Sequence, residues 1–236
     1  MRYIPDNTGR FSHRPYYEPG ELDRECERII ASFMQERAGR LMFPIPTDVL
    51  TKLIERDADD LDLYADLSDE GSDVEGVTDF YPGGKPKVRI SVDLTENERR
   101  AHRYRTTLAH EYGHIHFHTP LFDSLPLSPR MFPELEPAQA QKCQRATIIS
   151  AQKVNWMEWQ AGYVCGALLM PVTSFTQVVM AFRQRYNLHS IHVHSPQASK
   201  LQAVIAEQFD VSEDAARVRL MQLNYMTSQP PVEPAF

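Results

Sequence analysis

Paired cysteines, basic charge and long apolar runs are all scarce in this sequence. Its three cysteines, Cys26, Cys143 and Cys165, fall in no CxxC pair and cannot form a closed set of disulfides, which favours a reducing compartment. Lys and Arg number 25 against 32 Asp and Glu, a formal charge of -7, and this argues against broad binding to nucleic acid or to an anionic membrane surface. No uncharged run is long enough to cross a bilayer, and the N-terminus (MRYIPDNTGRFSHRPYYEPG) has no apolar signal-peptide core. The expected location is therefore the cytoplasm. With 42% hydrophobic and 24% charged residues, 236 residues suffice to bury a substantial core.

Local deficits divide the chain. Residues 1–20 lack periodicity and read as an N-terminal arm that is ordered only where it docks. Between Asp57 and Glu75 stand nine acidic residues and no Lys or Arg, read as a solvated surface segment; the ligand spacing of an EF-hand is missing, so no calcium site is assigned. Residues 119–140 contain five prolines and read as a long loop, a lid or specificity element beside the site. The main domain is expected over 21–228, with 229–236 a flexible tail.

Helical grammar fills much of the remainder. From Glu21 to about Gly39, Leu22, Cys26, Ile29, Ile30, Phe33 and Met34 recur at steps of three and four, one face of an amphipathic helix. A second helix is predicted from Thr47, a candidate N-cap, to Arg56. Val88, Ile90 and Val92 then alternate with polar residues after a Pro-Gly-Gly turn, which predicts a strand over 86–92 with two roles open to it: a core strand, or an edge strand that pairs with an extended peptide. Near the C-terminus, Gln197–Gln208 and a helix capped by Ser212 form a helical pair over about 197–225. The net charge of -2 over residues 197–236 (Lys200, Arg217 and Arg219 against Glu207, Asp210, Glu213, Asp214 and Glu233) suits a core or partner surface better than DNA.

The richest stretch is Thr106–His118, TTLAHEYGHIHFH, in which His110, Glu111 and His114 form HExxH. Histidines four apart lie one above the other on a helix and reach one ion about 2 Å away. Glu111, about 100° further round the axis, is placed to take a proton from a water at the ion rather than to bind it. A hydrolytic zinc site needs a third protein ligand. Glu158 stands 44 residues after His114 on a helical segment whose same face carries Ala161, Gly162, Cys165 and Leu169. That small-residue face allows close approach to a helix bearing Gly113, and it supports a His110, His114, Glu158 ligand set for one Zn2+ per chain.

Arg103–His118 followed by Glu158, Ala161 and Leu168-Leu169-Met170-Pro171 resembles the ImmA/IrrE family of metallopeptidases, over roughly residues 76–225. The resemblance implies an α+β fold, a mainly helical zincin-like peptidase domain with a small β-sheet beside the HExxH helix. It also implies zinc on His110, His114 and Glu158, and Glu111 as the base. Gly162 and Val164 depart from the asparagine and phenylalanine frequent in the family. The substrate implied is a helix-turn-helix repressor or an antitoxin of a phage or mobile element.

Three further residues are candidates around the centre. His118, four residues beyond His114, is read as a group behind the ligands or on the surface. Cys143 is read as a structural cysteine, with a thiolate that caps the zinc as the sharper alternative. Tyr163, with His116 and Arg105, is a candidate oxyanion partner. The leading expectation is a zinc-dependent endopeptidase. The alternative is a non-catalytic, zinc-stabilised regulator that binds a repressor, an antitoxin or DNA through its C-terminal helices.

Overall fold

The computed structural model describes residues 1–123, 139–144 and 155–228, the segment 139–144 by its backbone. Its architecture is α+β, with helices around one four-stranded sheet and a separate hairpin. The predicted tail 229–236 and most of the predicted lid, 124–138, lie outside the described residues. Among the described residues no single helix is long and apolar enough to cross a membrane.

The N-terminal arm is more regular than its sequence suggests. Strands β1 (Arg2–Pro5) and β2 (His13–Tyr16) pair antiparallel, with Tyr3 opposite Pro15. Asp6 closes the connection by accepting hydrogen bonds from Thr8 N (3.0 Å) and Phe11 N (3.1 Å), and Gly9 takes a left-handed φ of 76°. Phe11 then docks the hairpin edge-on to Phe122 (5.4 Å) and Trp156 (6.4 Å). Four-residue strands with two prolines and little buried surface carry no alternating pattern, which is why the arm reads as aperiodic.

Helix α1 (Pro19–Ala38) buries the predicted face, and Gly39 ends it at a φ of 69°. Helix α2 (Thr47–Asp57) has Pro46 in the cap position, so Thr47 is the first helical residue and not the cap. The acidic stretch is corrected in part: Asp60–Ala65 forms strand β3, with Leu61, Leu63 and Ala65 turned inward between exposed residues. Its aspartates disfavour a strand intrinsically, but they point to solvent, and parallel pairing with the next strand overrides propensity.

Strands β4 (Val74–Phe80) and β5 (Lys87–Ser91) form the expected hairpin, and with β6 (Gln139–Gln144) the sheet order is β3-β5-β4-β6. The strand predicted over 86–92 is thus interior, hydrogen-bonded on both sides, and cannot take an extended peptide by edge pairing. A short helix α3 (Val92–Thr95) leads into α4 (Ala101–Asp123), which carries HExxH and continues three residues past Pro120. Helices α5 (Trp156–Leu169), α6 (Val172–Arg185), α7 (Pro196–Phe209) and α8 (Glu213–Gln222) follow, α7 and α8 capped by Ser195 and Ser212.

One apolar cluster runs from α1 through α4 and α5 to α8, and includes Leu22, Ile30, Leu108, Val164, Leu201 and Leu220. Each such side chain stabilises the fold by about 1.5–3 kcal/mol. The C-terminal pair belongs to this core.

Candidate metal centre

Helix α4 is unusual in burying its polar residues. Thr106, Thr107, His110, Glu111, His114 and His118 are all inside, because α5 covers one flank of the helix and β4 another. Gly113 makes the first contact close: a Cβ there would lie 3.1 Å from Ala161 Cα and 3.2 Å from Val164 Cγ1. The small-residue face of α5 is therefore matched by a gap in α4, though Ala161 and Val164 meet it rather than Gly162 and Cys165.

That approach brings three ligand-type atoms together. His110 Nε2 lies 3.1 Å from His114 Nε2 and 3.2 Å from Glu158 Oε2, and His114 Nε2 lies 3.2 Å from Glu158 Oε1. The group is buried and can hold a metal ion. The spacing supports this, since atoms bound tetrahedrally at 2.0–2.1 Å are themselves about 3.3 Å apart. Polar satisfaction supports it too: Glu158 Oε1, Glu111 Oε1 and His110 Nδ1 are buried without a hydrogen bond, and Oε1 of Glu158 is near His114 without acceptable bonding geometry.

The charges point the same way. Burial opposes ionisation of Glu158, but the neighbouring His114 and His110 outweigh burial and hold the carboxyl well below the usual range. Burial would lower the His114 pKa, and the Glu158 carboxylate raises it instead. For His118 burial dominates, reinforced by His114, and the ring stays neutral. Glu111 goes up, because burial exceeds the pull of His114, His110 and Thr78. Two carboxylates thus share one buried pocket with two imidazoles, and the positive charge of Arg10 in the hairpin turn opposes protonation of His114.

Glu111 is held from the sheet. Thr78 Oγ1 of β4 donates to Glu111 Oε2 at 2.5 Å, and Gly76 leaves room for the other oxygen. A Cβ at Gly76 would collide with Glu111 Oε1 and approach Thr107 Cγ2 to 3.0 Å. Thr78 and Gly76 were not legible as site residues; a glycine inside a strand was the one available signal.

The remaining predicted residues scatter. His118 is buried behind His114, their Nδ1 atoms 2.9 Å apart, and is not on the surface. Tyr163 points the opposite way and donates to Asp23 Oδ2 (2.8 Å); His116 meets Glu25 (3.0 Å); Arg105 donates to the carbonyls of Ile45 (2.7 Å) and Phe209 (3.3 Å). Each therefore has a structural partner away from the three ligand atoms, which corrects their reading as oxyanion partners. Cys143 falls in β6 opposite Gly76 by register, while its side chain, and with it the capping thiolate, lies outside the described residues. No family model matches the chain, and no curated protein matches it.

Proposed function

We propose that this protein is a zinc-dependent endopeptidase of the ImmA/IrrE type, with a zincin-like site, acting on a helix-turn-helix repressor or an antitoxin. The observation that carries the reading is the convergence of His110, His114 and Glu158 on one point, with Glu111 fixed beside them by Thr78. Imidazole and carboxylate donors suit zinc, and a bound ion would polarise a scissile carbonyl and bring the pKa of water towards neutrality.

The chain's own residues supply the proton traffic. Oε2 of Glu111 is occupied by Thr78, so Oε1, which lacks a hydrogen bond, is the atom that takes the proton from the attacking water. The raised pKa of Glu111 suits it to hold that proton and return it to the leaving nitrogen as the C–N bond breaks. Water adds to the carbonyl carbon and the amine leaves neutral, which closes the balance.

The direct test is Glu111→Gln in the zinc-loaded protein, incubated with the product of the neighbouring gene and with a panel of helix-turn-helix repressors and antitoxins. Peptide-bond cleavage is expected to fall about 10²–10⁴-fold, with one zinc per chain and the fold retained. Cleavage at the wild-type rate refutes the mechanism.

The burial of all four residues favours a second reading, a regulator in which zinc is structural and the partner is bound intact. Sequestration of an uncut repressor by the wild-type protein, with zinc that a chelator removes only on unfolding, would select it.

A further inference from the structure

We propose that the main-chain carbonyl of Pro15, Gln160 and His118 form a hydrogen-bond relay that fixes His114 in the tautomer able to bind a metal ion, so that the N-terminal hairpin positions part of the centre. The inference rests on the metal-binding reading of His110, His114 and Glu158 and says which parts of the chain prepare it.

The direction of every link follows from the first. A carbonyl oxygen only accepts, so Gln160 must turn its amide nitrogen towards Pro15 O, 3.1 Å away. Its Oε1 then faces His118 Nε2 at 3.0 Å, and because that oxygen also only accepts, Nε2 carries the hydrogen. The two Nδ1 atoms of His118 and His114 lie 2.9 Å apart, a contact that needs one donor and one acceptor, and a His118 whose single ring hydrogen is on Nε2 accepts there, so His114 Nδ1 donates. His114 Nε2 is therefore a bare lone pair, and Nε2 is the atom that lies among His110 Nε2 and the Glu158 carboxylate. Metal-bound histidines usually donate their second nitrogen to a carboxylate, a backbone carbonyl or water, and here the His118 ring nitrogen takes that place.

The relay is braced along its length. Gln160 is 1% exposed and His114 and His118 are fully buried, so water has little access to replace a link. Trp156 sets its ring perpendicular to His118 at 5.5 Å, and Arg14, next to Pro15, lies over the other part of that brace, 5.2 Å from the Trp156 ring centre. Pro15 itself is held in the hairpin opposite Tyr3. His110, by contrast, has its Nδ1 without a hydrogen bond among the described residues. The two histidines of the motif are thus unequal, His114 being prepared by the fold and His110 not.

The test compares zinc affinity of full-length variants, measured by competition with a chromophoric chelator. His118→Asn keeps an acceptor where Nδ1 stood; His118→Leu has nearly the same shape as asparagine and no acceptor. Affinity is expected to fall about 10–100-fold in His118→Leu and Gln160→Leu and to stay within a few-fold of wild type in His118→Asn. Should the leucine variants not fold, the ¹⁵N–¹H spectrum of the zinc-loaded wild type decides: hydrogens on His114 Nδ1 and His118 Nε2 support the relay, and the reverse placement overturns it. Equal affinity in all folded variants also overturns it while leaving the zinc reading intact. A wild-type chain that binds no zinc refutes that reading, and the relay falls with it.

Discussion

Helix α5 separates two buried polar clusters that solve the cost of burial in different ways. On the side facing α4, Glu158 and Glu111 sit with His110 and His114 and have no Arg or Lys bonded to them among the described interactions. On the side facing α1 and α8, Asp23 meets Arg219 (2.6 Å) and Tyr163 (2.8 Å), and Arg219 also donates to the Met170 carbonyl (3.3 Å). The second cluster is neutral in itself, one carboxylate against one guanidinium. The first has two carboxylates bonded, among the described interactions, to imidazoles and a threonine hydroxyl, a donor set that a metal ion would complete. A buried cluster whose charges do not close is a functional signal, whereas one that closes is a structural fastening.

The largest effect that would sharpen this contrast is at the closed cluster. Arg219→Met leaves Asp23 as an uncompensated buried charge, and denaturant unfolding is expected to show a loss of about 3–5 kcal/mol. Zinc stoichiometry in the folded fraction should not change. If the variant lost zinc while keeping stability, the two clusters would not be separate.

A smaller effect is expected where the helices touch. Gly113→Ala gains up to about 1 kcal/mol of helix propensity. It also drives a methyl against the Ala161 backbone, and such overpacking costs about 1–3 kcal/mol. The net expectation is a loss of about 1 kcal/mol together with weaker zinc binding, because the ligand atoms on α4 and α5 move apart. Unfolding of the metal-free protein and a zinc titration measure the two parts separately; a stabilised variant with unchanged affinity would show that the close approach does not set the ligand spacing.

The smallest effect reports how dry the closed side is. Burial pushes the Cys165 thiol up to about 12, against the pull of Arg103, Arg219 and Arg105, and burial raises Cys26 as well. At pH 8 both are therefore neutral thiols and poor nucleophiles. Peptide mapping after brief alkylation should find Cys26 and Cys165 unlabelled in the native protein and labelled after unfolding. Rapid native labelling would mean that this face opens to solvent.

Legibility followed the range of the interaction. The period of Leu22, Ile29, Ile30 and Phe33 marks α1, because a helix repeats its contacts every three or four residues, and Ser212 marks the start of α8. Strand β3 was hidden by its aspartates and the β1–β2 hairpin by its brevity and prolines, since both owe their form to partners elsewhere in the chain. Tyr163 reads equally well as a site residue or a core residue until the rotation of α5 turns it towards Asp23.

The sequence by itself determined which side chains can share one ion: HExxH fixes His110 and His114 on one helical stripe with Glu111 beside them, and small residues around Glu158 mark the face that can approach. The tertiary structure decided how that set is prepared. Thr78 and Gly76 reach Glu111 only through the register of β4 against α4, and Gln160 joins the Pro15 carbonyl to His118 across a separation of 145 residues. Hydrogen-bond direction and steric clearance at a few tenths of an ångström depend on how elements are seated, and no local period in the chain encodes that.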